Sequence, residues 1–202
     1  MKKILYISGT RADFGLIKST LLDIHKDNRF DLGIVVTGMH LLKKYGNTSS
    51  EIEKSGLHVI KRIRVKLDGK SKSKMAFALG KQILGMVKVM KVWKPDLVLV
   101  LGDRGEMLAG AISAAHLSIS IAHIHGGERS GTIDESIRHA ISKLSNLHLV
   151  ATKNSKKRLI KMGEKKESIK ITGAPGIDEI ITKKDNLLTK NNFCKLHNFE
   201  EE

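Results

Sequence analysis

Cysteine, proline and aromatic rings are all scarce in this chain, and two of these scarcities exclude a class of protein. The single cysteine among 202 residues, Cys194, has no partner for an intramolecular disulfide and cannot found a Cys-based zinc cluster. Phe, Tyr and Trp make up 4% of the residues, too few to interleave stacking rings among the lysines of a nucleic-acid groove. The net charge of +15, from 36 Lys and Arg against 21 Asp and Glu, is therefore read as a lysine-rich solvated surface. That surface suits an anionic ligand, and no nucleic-acid partner is expected. Apolar runs of membrane-spanning length are also missing, and Met1-Lys-Lys-Ile-Leu-Tyr-Ile-Ser8 enters a strand-like pattern too early for a secretory signal. A cytoplasmic protein with no membrane partner is expected. Gly9 and Gly15 lack the Gly-x-Gly-x-x-Gly spacing that brings a pyrophosphate against the backbone, which disfavours a nicotinamide cofactor.

The chain does contain a regular alternation of short apolar runs and helical patterns. Hydrophobic residues form 41% of it, enough for one sizeable core. Runs at 3–8, 30–36, 57–65, 96–101, 120–124, 147–152 and 168–172 predict seven strands. A helix after Gly15 turns Leu16, Ile17, Leu21, Leu22 and Ile24 inward, and a second from Lys74 turns Met75, Leu79, Ile83, Met86, Val87 and Met90 inward until Pro95 stops it. Further helices are predicted at 106–115, 133–144 and 155–162. Strand alternating with helix predicts an α/β fold, doubly wound, with a mainly parallel Rossmann-like sheet. The domain is expected to span 1–178, with 179–202 as a linker and 68–74 as a loop with the composition of a flap.

Polar residues follow the strands where such folds hold ligands. Gly102 turns the backbone after a buried run and delivers Asp103 and Arg104 to the carboxyl end of the fourth strand. Arg11, at a helix start, suits an anion. Thr132-Ile-Asp-Glu135 reads as a capping box, with the Thr132 hydroxyl on the Glu135 N–H. Its helix would bury Ile133, Ile137, Ala140, Ile141 and Leu144 and pair Asp134 with Arg138 and Glu135 with His139 on the outer side. His123, His125, Glu128, Asp134 and His139 form an alternative, metal-holding set.

Taken in order, Ser8-Gly-Thr-Arg11-Ala-Asp13, Val36-Thr-Gly-Met-His40, Gly102-Asp-Arg104, His123-Ile-His-Gly-Gly-Glu128, Ser130-Gly-Thr-Ile-Asp134, Ser136-Ile-Arg-His139 and Thr172-Gly-Ala-Pro175 closely resemble one family. It is the amino-terminal half of the hydrolysing UDP-N-acetylglucosamine 2-epimerases of sialic and legionaminic acid synthesis. The resemblance implies the first of two Rossmann-type domains of a GT-B-like fold, facing a cleft. It implies a UDP-N-acetylhexosamine substrate such as UDP-N-acetylglucosamine, elimination of UDP across C1 and C2, and addition of water to give N-acetylmannosamine, with no cofactor. By position, Asp103 and Asp134 match acid/base carboxylates, and Arg11, Asp13, Thr37, His40, Arg104 and His139 fall in the substrate-binding shell. Where several relatives carry a glutamate before Gly-Gly, this chain has His125, so that role falls to His125, passes to Glu128, or is lost. The groups that grip UDP in relatives lie in a second domain and have no counterpart in this sequence; the expected protein partner is a separately encoded second domain or a second copy of this chain. A non-catalytic sugar-nucleotide-binding or interaction domain is the alternative.

Overall fold

The computed structural model describes residues 1–66 and 72–182. The elements run β1 (Lys2–Ser8), α1 (Arg11–Lys26), β2 (Phe30–Val36), α2 (Ser49–Lys54), β3 (Val59–Arg62), α3 (Lys72–Trp93), β4 (Leu97–Leu101), α4 (Gly105–His116), β5 (Ser120–Ile124), α5 (Ile133–Leu144), β6 (Leu147–Val150), α6 (Lys153–Lys161), β7 (Ile169–Ile171) and α7 (Pro175–Thr182). Short 3-10 turns occupy Gly38–Leu41, Lys43–Tyr45 and Lys166–Ser168. The strands form one parallel sheet in the order β3-β2-β1-β4-β5-β6-β7. The chain winds outward from β1 to β3, returns to β4 on the other side of β1 and winds out again. Its direction reverses between β1 and β4, the point at which a crevice opens beyond the strand ends.

Side chains alternate across the central strands, so each face has its own core. Leu5, Ile7, Val98, Val100 and Ile121 pack against Met86 and Met90 of α3 and Met107 of α4. On the opposite face Ile4, Tyr6, Ile34 and Leu99 pack against Phe14, Ile17 and Leu21 of α1. α4 lies close against β1 because Gly110 carries no side chain: a Cβ there would overlap Ile7 Cδ1. No described helix is long and apolar enough to cross a membrane.

All seven expected strands are present, and β3 is the sheet edge that its alternation predicted, though it shrinks to four residues after a register shift at Ile34/Val35. The helix faces need correction. In α1, Phe14 takes the buried position and Leu16 is 43% exposed; in α3, Met75 is exposed while Ala78, Gln82 and Val89 are buried. In α5, Ile133 and Ala140 are exposed, and the buried face runs through Arg138, Ile141, Ser142 and Ser145. That face turns inward because polar partners at the ends of β4 and β5 receive Arg138 and Ser142. Thr132 caps α5 as expected, but its hydroxyl accepts from Asp134 N at 3.3 Å, and Glu135 reaches back to Ser130 N and Gly131 N, both at 2.8 Å. The reciprocal capping box lies instead at α1, between Thr10 and Asp13. α7 runs across position 178, the expected domain boundary. Residues 183–202 of the expected linker and residues 68–71 of the expected loop lie outside the described residues.

Candidate functional site

Beyond β4, Gly102 adopts a φ of +82° and Asp103 follows it into the crevice edge. Gly102 is held on both sides: its N–H donates to Ile124 O at 3.0 Å, and its carbonyl accepts from His123 Nε2 at 2.8 Å. A carbonyl only accepts, so Nε2 carries the His123 proton and Nδ1 lies 3.1 Å from the Ser142 hydroxyl, whose one proton serves both that nitrogen and Arg138 O at 3.0 Å. Burial of the ring, aided by the neighbouring His148 and Arg138, lowers the His123 pKa from 6.5 to about 3, so the ring is neutral.

The Asp103 carboxylate accepts from Arg138 Nη2 of α5. Asp134 lies one helical turn before Arg138, so one turn of α5 carries Asp134 and the partner of Asp103. The expected Asp134–Arg138 pair is replaced by Asp103–Arg138, and Asp134 stays exposed. Asp134 lines a cleft of about 790 Å³ together with Arg104, Glu106, Gln82, Leu79 and Ile137. Arg104 Nε lies 3.4 Å from Glu106 Oε2, an ion-pair distance without hydrogen-bond geometry. Glu106 is 4% exposed, and its side chain runs beneath Gly9 and Gly38. Gly38 has a φ of +60°, and a Cβ there would overlap Glu106 Oε1 and stand 2.8 Å from Gly9 O. Two glycines just beyond the ends of β1 and β2 thus make room for a buried carboxylate at the switch point.

His125 ends β5 at a φ of +63°, a conformation that costs a non-glycine residue on the order of 1–3 kcal/mol and recurs at functional sites. Its Nε2 is buried without a partner among the described residues, as are Arg104 Nε, Arg138 Nε and His139 Nδ1. Buried polar atoms normally find partners. Four that do not belong to residues at this one edge of the sheet. Glu128 is half-buried beside them, and His139 Nε2 lies 3.7 Å from Glu135 Oε1, as expected from their spacing. The two backbone N–H groups that Glu135 accepts hold its carboxyl below its ordinary pKa.

The β1 and β2 ends are differently built. Asp13 is buried and accepts five bonds: Tyr6 Oη and Ser8 Oγ on Oδ1, and Gly9 N, Thr10 N and Thr10 Oγ1 on Oδ2. His40 is also buried, with Nε2 2.9 Å from Ser8 Oγ and Nδ1 2.7 Å from Thr48 Oγ1, and burial lowers its pKa. Thr37 donates to Ile63 O and accepts from Gln82. These three are engaged internally, whereas Arg11 is exposed and lies 3.2 Å from Glu51. Among the described residues no group of three or more His, Cys, Asp or Glu is arranged to hold a metal ion, and both ring nitrogens of His123 are occupied.

Sequence reasoning did not single out Arg138, Glu106 or Ser142 as site residues, and it weighed His123 only as a metal ligand. For Arg138 and Ser142 the available signal was their shared helix face with Ile141. For Glu106 it was a lone acid at the start of an Ala-rich helix.

Residues 22–201 match the family described as UDP-N-acetylglucosamine 2-epimerase. The chain is 51% identical over 200 residues to a UDP-N,N'-diacetylbacillosamine 2-epimerase (hydrolyzing) of Legionella pneumophila, covering 99% of this chain and 52% of that protein. It is 43% identical over 178 residues to the UDP-N-acetylglucosamine 2-epimerase of Neisseria meningitidis, covering 88% and 46%. Among solved structures, that of a Neisseria meningitidis UDP-GlcNAc 2-epimerase bound to UDP-GlcNAc superposes with a TM-score of 0.80 at 22% identity, over 94% of this chain and 50% of that one. The chain thus spans about half the length of the curated relatives it matches. With the switch-point crevice and the fold in agreement, this chain belongs to the UDP-N-acetylglucosamine 2-epimerase family.

Proposed function

We propose that this chain is the sugar-handling half of a hydrolysing 2-epimerase that acts on a UDP-N-acetylhexosamine, either UDP-N-acetylglucosamine or its diacetamido analogue. The observation that carries the reading is the pairing of Asp103 with Arg138 one helical turn from Asp134, beside a cleft that also holds Arg104. Elimination takes a proton from C2 while the C1–O bond to UDP breaks, and water then adds to the resulting glycal. A base and an acid are needed together, and Asp103 and Asp134 supply the two carboxyl groups. Arg104 stabilises charge developing on the departing phosphate. His125 and Glu128 are the two candidates for a third proton-handling group, His125 by its unpartnered Nε2 and Glu128 by its place after Gly126-Gly127. Arg11, which lines a separate surface pocket with Glu51 and Lys54, and His139 are the further polar residues of the proposed substrate shell, while Asp13, Thr37 and His40 support the strand ends from within. The chemistry calls for no cofactor. A second domain, matching the half of the relatives that this chain does not cover, holds the UDP.

In this reading the protein works in the cytoplasm and supplies an N-acetylmannosamine-type sugar for sialic or legionaminic acid synthesis. A non-catalytic interaction domain is not favoured, since both relatives described above are named as 2-epimerases. Saturation-transfer NMR of the chain with UDP-N-acetylglucosamine and with the diacetamido analogue tests the reading. Transfer to the N-acetyl protons of either is expected, and silence from both would contradict it.

A further inference from the structure

We infer that Arg138 is a positioning residue that fixes Asp103 relative to Asp134, tying the turn after β4 to the first turns of α5. The inference rests on the proposed reaction for its purpose, but not for its geometry.

Arg138 is 8% exposed, and its Nη2 donates to Asp103 Oδ2. Its Nε is buried and bonds to nothing among the described residues. Its neighbours on the helix face are Ile137, Ile141 and Ser142. A well-packed apolar side chain there would avoid the desolvation of a guanidinium, and replacing buried ion pairs by apolar groups is often neutral or stabilising. Stability therefore does not explain an arginine at this position.

The pairing does explain it. Asp103 is the second residue of the three-residue connection between β4 and α4, directly after Gly102 at its φ of +82°. Two links run from it to α5. The first is through the backbone: Gly102 O accepts from His123, whose Nδ1 meets Ser142. The second is the Asp103–Arg138 bond through the side chain. Arg138 could have satisfied Asp134, its own i−4 neighbour; pairing across the crevice instead leaves Asp134 exposed in the cleft while Asp103 is clamped. Two carboxylates on different elements are thereby held in one register, the geometry that acid and base acting on adjacent carbons require.

The test reads the χ1 rotamer of Asp103 from side-chain three-bond couplings in the free chain, with the signal identified by its loss in Asp103→Asn. A single rotamer is expected in the wild type and rotamer averaging in Arg138→Met, with order returning in Arg138→Ala on addition of guanidinium ion. Persistence of one rotamer in Arg138→Met would overturn the inference. Should Arg138→Met fail to fold, Arg138→Lys serves in its place, and the Arg138 Nη signals in Asp103→Asn give the reciprocal reading: they should lose their slowed exchange. With UDP-N-acetylglucosamine added, Asp103→Asn and Arg138→Met are expected to be non-additive in their effect on sugar saturation transfer, because one acts through the other. Simple additivity would count against the inference. Absence of any sugar binding by the wild type would defeat the proposed function alone, since the rotamer reading needs no ligand.

Discussion

Replacing Asp13 separates a substrate group from a structural one. Its Oδ2 accepts from two backbone donors that cannot rotate away, Gly9 N at 2.9 Å and Thr10 N at 2.6 Å; the other three donors are hydroxyls free to turn. In Asp13→Ala, each orphaned N–H costs about 1–3 kcal/mol, the Thr10 N–H being the half of the α1 capping box that is lost, while Asp13 N still reaches Thr10 Oγ1. The total is roughly 4 kcal/mol, a large part of an entire domain's stability, and corresponds to a fall in Tm of about 8–16 °C for a chain of this size. Asp13→Asn keeps one oxygen for the two N–H groups and presents its amide to the Tyr6 and Ser8 hydroxyls, which reorient to accept. It should lose about 2 kcal/mol, or about 4–8 °C. Thermal circular dichroism at pH 7 reads both variants. If Asp13→Ala melted close to the wild type yet lost sugar-nucleotide binding, the cap account would be wrong and the carboxylate would belong to the ligand.

Three further outcomes are expected. His123 is neutral in the folded protein down to a pKa of about 3 but protonates near 6.5 when unfolded, so folding stability is fully present above pH 6.5 and drains as pH falls. This amounts to about 2 kcal/mol by pH 5; His148, also lowered by burial, adds in the same direction. His123→Asn should flatten the Tm change between pH 7 and pH 5, and an unchanged slope would show that other groups carry it. Gly38→Ala forces an alanine to a φ of +60° and against Glu106, for a loss of roughly 2–4 kcal/mol from strain and overpacking together; chemical denaturation giving a wild-type midpoint would refute that packing. Asp103→Asn and Asp134→Asn should each abolish turnover with near-UV circular dichroism retained, and near-normal rates in both would remove the two carboxylates from the mechanism.

The strands were legible because each is a continuous apolar run bounded by glycine or polar turns, and a parallel sheet covered on both faces demands that pattern. That ligands sit at the carboxyl ends of the strands followed from the alternation of strand and helix, whereas the strand order that puts the switch point between β1 and β4 is set by tertiary pairing. The helix faces were less legible. Periodicity put Arg138 on the outer side of α5 with Asp134, since i,i+4 spacing offers a local partner, but Asp103 won it across the crevice. Only tertiary contact distinguishes those two outcomes. The same holds at α1, where Thr10 and Asp13 form a cap whose signature, Thr followed three residues later by an acid, was present yet read as part of a ligand shell. α7 went unpredicted because its apolar residues, Ile177, Ile180 and Ile181, are few and follow Pro175. Asp103, Arg104 and Asp134 were singled out from the sequence, and the structure places Arg104 and Asp134 along the cleft and pairs Asp103 with Arg138. Glu106 was not, because the glycines that house it follow β1 and β2, far away in sequence.

The central claim is that the residues for elimination across C1 and C2 reside on this chain. It is tested most directly by joining the chain to the half of the Legionella pneumophila relative that it does not cover and incubating the fusion with UDP-N-acetylglucosamine and the diacetamido analogue in deuterium oxide. Proton NMR should show UDP and a free sugar inverted at C2 and carrying deuterium there. A released sugar that kept its original C2 proton, or a fusion that bound the nucleotide sugar and released nothing, would contradict the account.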